Sequence, residues 1–235
     1  MVEFKDIQKK FGKNDVLTGI NLKIQDGKTT AILGPNGSGK TTLIKILLGM
    51  CHSNKGDILV GNSTTKNNWS YRKNIDYLPQ IANFPGNIKV KEIIAMIKDL
   101  RHQKTRDEEL ITYFELKPYL DTKLSHLSGG YKQKVNLVLS LMFDSPFVIL
   151  DEPTSGLDPL SLIKLKDLLK KEQDNGKTIL ITSHIMSFVE EISDHISFIL
   201  DGKVYFDGSI DELKTTTGET DFEYAIANLL KKDHA

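Results

Sequence analysis

The stretch Gly34-Pro35-Asn36-Gly37-Ser38-Gly39-Lys40-Thr41 constrains this chain more than any other. It fits G-x-x-x-x-G-K-[ST], follows the short apolar run 29–33 and precedes residues 41–48, whose helical spacing ends at Gly49. Strand, glycine loop and helix in that order let successive backbone N–H groups and a positive helix end meet phosphate oxygens. Glycines allow the close wrap, Lys40 reaches the β and γ phosphates, and the Thr41 hydroxyl is placed to serve Mg²⁺. A chance match in a chain with ordinary glycine content is on the order of one in a hundred. The strand and helix that flank this match make chance a weaker explanation still.

The rest of the pattern sets the fold class. Residues 2–7 and 21–25 alternate apolar and polar and read as antiparallel strands, with a turn near Gly12-Lys13-Asn14-Asp15. Two further buried runs, 147–150 and 178–182, flank the helical stretch 160–172, so strands alternate with helices and imply a mostly parallel sheet. Residues 83–145 carry amphipathic helical spacing at 90–100, 107–115 and 130–143 with no strand candidate, which reads as a helical insertion. A hairpin is expected at 195–206 around Asp201-Gly202, then short helices near 210–214 and 222–231. The expected organisation is one α/β domain: a core of 1–82 and 146–215 with an N-terminal antiparallel β subdomain, the insertion 83–145, and a C-terminal helix in 216–235.

Composition excludes several function classes. With 235 residues, 31 Lys+Arg against 31 Asp+Glu, and 39% hydrophobic residues, the chain is long enough to bury a large core and is not expected to be disordered. A formal charge of zero argues against a protein that holds nucleic acid by neutralising phosphates. A single cysteine, Cys51, and an N-terminus without a basic, apolar leader point to the cytoplasm. No apolar run approaches the roughly 20 residues of a membrane span, so any membrane role is expected to go through a partner.

Two further clusters carry chemistry. Asp151-Glu152 follows a buried run, where a sheet delivers carboxylates to the mouth of a nucleotide site: Asp151 to hold Mg²⁺, Glu152 to act as general base on water. Leu127-Ser128-Gly129-Gly130 opens a helix: in isolation it reads as an ordinary helix cap, and in the company of the phosphate loop as a second anion-binding end. One chain has no evident need for two such ends so far apart, unless the second serves another molecule's nucleotide.

With these motifs the chain resembles the ATPase subunit of ABC (ATP-binding cassette) transporters over about residues 2–210. The resemblance is carried by the phosphate loop, Leu127 to Gly130, the segment Asp151-Glu152-Pro153-Thr154-Ser155-Gly156-Leu157-Asp158, Gln80 after Asp76-Tyr77-Leu78-Pro79, His184 in Thr182-Ser183-His184, and Phe11 before Gly12. It implies a P-loop NTPase (RecA-like) core with an N-terminal antiparallel β subdomain and an inserted α-helical signature subdomain. It also implies ATP and Mg²⁺ as cofactors. Gln80 would touch Mg²⁺ and water and report occupancy to a membrane subunit, and His184 would bond the γ-phosphate. Thr42 would contact the α-phosphate, Phe11 would stack on adenine, and Asp158 would link two sites of a dimer.

Catalysis would then fall to Glu152, His184, Gln80 and Lys40, with Mg²⁺ at Thr41, Gln80 and Asp151. Nucleotide would be bound by Phe11, Gly34, Pro35, Asn36, Gly37, Ser38, Gly39, Lys40, Thr41, Thr42, Ser128, Gly129, Gly130 and Asp158. The implied partners are a second copy of the chain, head to tail around two ATP, and separate integral-membrane permease subunits at the cytoplasmic face of the inner membrane. Tyr131 departs from the family's usual Gln and Lys134 from its commoner Arg. A narrower resemblance, in 71–80, 88–101, 177–186 and 208–219, is to the copper-processing ABC ATPases that mature nitrous-oxide reductase, implying copper or sulfur handling. The rival reading is a soluble ABC ATPase that drives assembly without transport.

Overall fold

The computed structural model describes residues 1–82 and 84–231, so residue 83 and the last four positions of the expected C-terminal helix region lie outside the described residues. The chain begins with a long hairpin, β1 (Val2–Phe11) and β2 (Asn14–Ile24), which turns at Gly12. Both strands outrun the alternating stretches read from sequence. Register shifts between Phe4 and Ile7, Ile7 and Gln8, and Lys9 and Lys10 change the phase of the pattern, so one strand looks like two fragments.

β3 (Thr29–Leu33) enters the glycine loop and α1 (Lys40–Leu47) leaves it. Three strands not anticipated from sequence follow: β4 (Lys55–Val60), β5 (Ser63–Thr64) and β6 (Ile75–Leu78). They are short or interrupted by Gly56 and Asp57, and they become strands only through pairing, β4 with β1 and β6 with the later β7 (Phe147–Asp151).

Between β6 and β7 lie α2 (Val90–Arg101), α3 (Asp107–Tyr113) and α4 (Gly129–Leu141), the helical insertion. Then come α5 (Pro159–Asp174), β8 (Thr178–Thr182), α6 (Met186–Ile192), the hairpin β9 (His195–Leu200) and β10 (Lys203–Gly208), α7 (Ile210–Thr217) and α8 (Phe222–Lys231). α6 was not anticipated, and α7 continues until left-handed Gly218 stops it, past the break expected after residue 215.

The strands form a four-stranded sheet in the order β2-β1-β4-β5 and a six-stranded sheet in the order β10-β9-β3-β8-β7-β6. In the larger sheet β9, β3, β8, β7 and β6 run parallel, and every residue of β3, β7 and β8 is buried. Successive residues of these strands serve opposite cores. Ile32, Ile149 and Leu180 face α1 and the small sheet, whereas Ala31, Leu33, Val148, Leu150, Ile179 and Ile181 face α4, α5 and the C-terminal helices. Pairing of Ile32 and Asp151 with Thr182, and of Leu78 with Leu150, brings the carboxyl ends of β3, β8, β7 and β6 to one rim.

Two buried charge networks tie the insertion to this core. Arg101 meets Asp76 Oδ1 at 2.6 Å, and the Ser145 hydroxyl donates to the same oxygen at 2.8 Å. Arg106 meets Glu172 Oε1 at 2.5 Å, while Lys177 forms ion pairs with Glu172 Oε2 at 2.6 Å and Asp144 at 2.8 Å. Burial raises the Glu172 carboxyl, but hydrogen bonds from Arg106 and Lys177 outweigh it and hold the group below its ordinary value. No helix among the described residues is long and apolar enough to cross a membrane.

Candidate active site

The glycine loop needs its glycines for separate reasons. Gly34, Gly37 and Gly39 adopt φ of 145°, 83° and 104°. At Gly34 a Cβ would lie 2.0 Å from the Ile199 carbonyl oxygen, and at Gly39 2.4 Å from Leu17 Cδ2, so the loop is pressed against both sheets. Among the described residues nothing lies within 4 Å of such an atom at Gly37. Gly34→Ala is therefore expected to weaken ATP binding at least about ten-fold, the scale of 1–3 kcal/mol of backbone strain, in a titration with fluorescent nucleotide. Gly37→Ala should fall short of that loss, because only its backbone angle is strained.

Lys40 folds back over the loop and donates to the carbonyls of Gly34 at 2.7 Å and Pro35 at 3.0 Å. Burial pulls its ammonium below the ordinary lysine value, opposed by the charges of Glu152 and Asp151 across the cleft. The Ser38 hydroxyl is buried and has no hydrogen-bond partner among the described residues. A helix N-terminus, an ammonium and an orphaned hydroxyl converge there, which suits a polyphosphate.

Asp151 closes the opposite wall. Its Oδ2 accepts from the Thr41 hydroxyl at 3.0 Å and its Oδ1 from the Thr182 hydroxyl at 2.5 Å. Glu152 adopts φ of 54°, a left-handed conformation uncommon for a side-chain-bearing residue. Its N–H is held by the Thr182 carbonyl and hydroxyl, each at 3.1 Å. That twist separates two adjacent carboxylates: Asp151 turns inward to Thr41, and Glu152 meets His184 Nδ1 at 2.8 Å. The His184 side chain is 71% exposed, so this pair sits at the mouth.

A cleft of about 460 Å³ collects Phe11, Asn36, Gly37, Gly39, Lys40, Thr41, Thr42, Gln80, Asp151 and Glu152 from four separate segments. Phe11, 51% exposed, has Lys9 Nζ 4.6 Å from its ring centroid, and that ammonium is anchored on the His52 carbonyl at 2.7 Å. Neutral and carboxylate oxygens of Thr41, Gln80 and Asp151, with no thiolate or imidazole among them, are the hard donor set that suits Mg²⁺ completed by water and phosphate.

Sequence reasoning missed two participants. Val16 lines the cleft and its carbonyl backs Gly39. Thr182 holds the Asp151 carboxylate through its hydroxyl and the Glu152 backbone N–H through its hydroxyl and carbonyl, and its place at the end of a fully buried strand beside His184 was the available signal.

The signature segment does not line this cleft. Ser128 caps α4, Gly130 lies so close to the Gly156 carbonyl that a Cβ would be 2.8 Å from it, and Gln133 donates to the Pro153 carbonyl at 2.9 Å. Asp158 caps α5 through Ser161 N–H at 2.8 Å and its hydroxyl at 2.7 Å, and pairs with Lys134 at 3.1 Å. Hydrogen bonding from Ser161, supported by Lys134, holds the Asp158 carboxyl far below its ordinary range.

Fold and cleft together define an ATP-binding P-loop domain. The sequence family described as ABC transporter matches residues 17–155, and the chain belongs to that family as an ATP-binding subunit with the ABC-type ATPase activity. It is 32% identical over 216 residues to the Nod factor export ATP-binding protein I of Burkholderia lata, covering 88% of this chain and 70% of that protein. It is 31% identical to a lantibiotic transport ATP-binding protein of Streptococcus pyogenes, covering 90% and 92%. Among solved structures, an ATP-binding subunit of an ABC transporter superposes with a TM-score of 0.90 at 25% identity, covering 98% of this chain and 99% of that one. A dimeric bacterial ABC transporter cassette superposes at 0.80 with 24% identity, covering 89% and 98%, and supports the fold.

Proposed function

We propose that the chain hydrolyses ATP in a symmetric head-to-tail homodimer and passes the resulting motion to separate permease subunits in the membrane. One observation carries this reading: Glu152, paired with His184 at 2.8 Å, stands beside an Asp151 that is tied to the phosphate-loop Thr41. Lys40 holds the β and γ phosphates, Thr42 the α phosphate, and Phe11 the adenine face. The backbone N–H groups of Asn36, Gly37, Ser38 and Gly39 wrap the chain of phosphates, and Gly34 and Pro35 shape the loop that presents them.

Mg²⁺, when bound, would be held by Thr41, Asp151 and Gln80 and would supply neutralising charge on the phosphates. Glu152 takes a proton from water as its oxygen bonds to the γ-phosphorus, and the bond to the bridging oxygen breaks to leave ADP. His184 orients Glu152 and donates toward the γ-phosphate oxygens. Ser128, Gly129 and Gly130 of one copy complete the other copy's nucleotide site, and Asp158 borders both. Base and signature are both intact, so two equivalent sites can form, which favours the symmetric pair.

The relatives named for Nod factor export and lantibiotic transport support an export-type permease as partner. The finer assignment, copper or sulfur handling for nitrous-oxide reductase maturation, rests on the sequence resemblance alone. Affinity purification from detergent-solubilised native membranes tests all of these. A co-purifying multi-span permease is expected, and a copper-binding or nitrous-oxide-reductase component beside it would carry the finer assignment. Soluble partners only, reproducibly, would replace transport by an assembly ATPase.

A further inference from the structure

Helix α4 begins in an unpromising way. Its first two residues are Gly129 and Gly130, the weakest helix formers after proline, and the cap from Ser128 to the Tyr131 N–H is stretched to 3.5 Å. Glycine cannot hold itself in place by side-chain packing, yet these amides are the groups that must point at an anion. Tyr131 is the first residue of the helix with a side chain. Its ring lies 4.0 Å, centroid to centroid, from that of Tyr119, in the turn 117–119 of the helical insertion.

The Lys134 ammonium sits 5.1 Å from the Tyr131 centroid and also reaches Asp158 at 3.1 Å. Asp158 in turn caps α5 through Ser161. A continuous chain of contacts, Tyr119, Tyr131, Lys134, Asp158 and Ser161, therefore crosses from the turn 117–119 through α4 to the start of α5.

We propose that Tyr131, stacked on Tyr119 and covered by Lys134, is the positioning residue that fixes the first turn of α4, so that the Ser128 to Gly130 amides and Asp158 meet the opposite copy's nucleotide as one rigid unit. This rests on the composite-site reading above. In place of the amide that the family usually carries at this position, the chain uses an aromatic clasp. Tyr131 lies outside the cleft that holds this chain's own ATP, so its loss acts on closure of the dimer and not on the first binding step.

Removing one aromatic partner is expected to weaken each composite site up to about ten-fold, the upper range for such ring pairs. The dimer closes on two sites, so the effect enters twice.

The test uses the full chain carrying Glu152→Gln, which retains ATP, with Tyr131→Ala, Tyr131→Phe, Tyr119→Ala and the Tyr119→Ala/Tyr131→Ala pair added to it. Dimerisation with saturating Mg-ATP is followed by sedimentation velocity, and ATP affinity of the dilute monomer by fluorescent-nucleotide titration. Tyr131→Ala and Tyr119→Ala should each raise the dimer dissociation constant about five- to a hundred-fold, with monomer ATP affinity within about two-fold. The double variant should be no worse than the worse single one, because either change breaks the same clasp. Tyr131→Phe keeps the ring and should stay close to the parent.

Equal dimerisation by Tyr131→Ala, Tyr119→Ala and a dimerising parent would overturn the positioning role, as would parallel losses of monomer ATP affinity. A parent that stays monomeric with saturating ATP would overturn the composite site itself, and the clasp with it. Tyr119 stands outside α4, so its variant keeps the question answerable should changes within the helix prevent folding.

Discussion

Glu152→Gln is expected to lower steady-state ATP turnover by about 10²–10⁴-fold, the range lost with a general base, without loss of ATP binding. Glutamine has nearly the same shape, so the left-handed turn at 152, the bonds from its N–H to Thr182 and a side-chain contact with His184 can all persist. Only the capacity to take a proton from water disappears. Phosphate release under saturating Mg-ATP measures the loss, and the half-saturating ATP concentration should move little because Lys40, Thr41 and the loop amides are untouched. Turnover within about three-fold of the parent would remove Glu152 from the role of base.

Glu172→Ala is expected to cost about 3–5 kcal/mol of stability, the usual loss when one member of a buried ion network is deleted. The Glu172 side chain is almost fully buried and answers two cations, Arg106 from the start of α3 and Lys177 from the approach to β8. Without it, both positive groups stay in a low-dielectric site, and among the described residues the exposed Asp144 carboxylate is the remaining ion-pair partner of Lys177. At roughly 2–4 °C per kcal/mol for a chain of this size, the melting midpoint should fall by about 6–20 °C in scanning calorimetry. A fall under about 2 °C would show that the network contributes nothing net. Replacing Glu172 together with Arg106 and Lys177 by apolar residues of similar size should recover much of the loss, because the stranded charges are what destabilise.

The Glu152 prediction concerns a residue that local sequence already singled out, while the Glu172 network was invisible there. Glu172 reads as one more charge on an amphipathic helix with several lysines around it. Nothing within α5 says that Arg106, 66 positions earlier, will reach it. The same holds for Asp76, Arg101 and Ser145, three polar residues that become a buried cluster only when the helical insertion packs on the edge of the large sheet.

Contiguous residues alone determined the phosphate loop, its flanking strand and helix, the carboxylate pair after a buried run, the helical insertion and the α/β class. Each of these depends on short-range rules: φ space at glycine, hydrophobic periodicity, and the chemistry of neighbouring side chains. Tertiary structure decided the rest. β4 and β6 are too short and too polar in pattern to declare themselves and exist because β1 and β7 offer them backbone partners. Thr41 and Asp151, 110 positions apart, meet because burial on both faces fixes the strand order, and pairing register then aligns the strand ends. Thr182 gains its hold on the Asp151 carboxylate and the Glu152 backbone N–H in the same way. Such contacts need two distant segments held in one register, and that information lies in the packing of the whole sheet, not in any window of the chain.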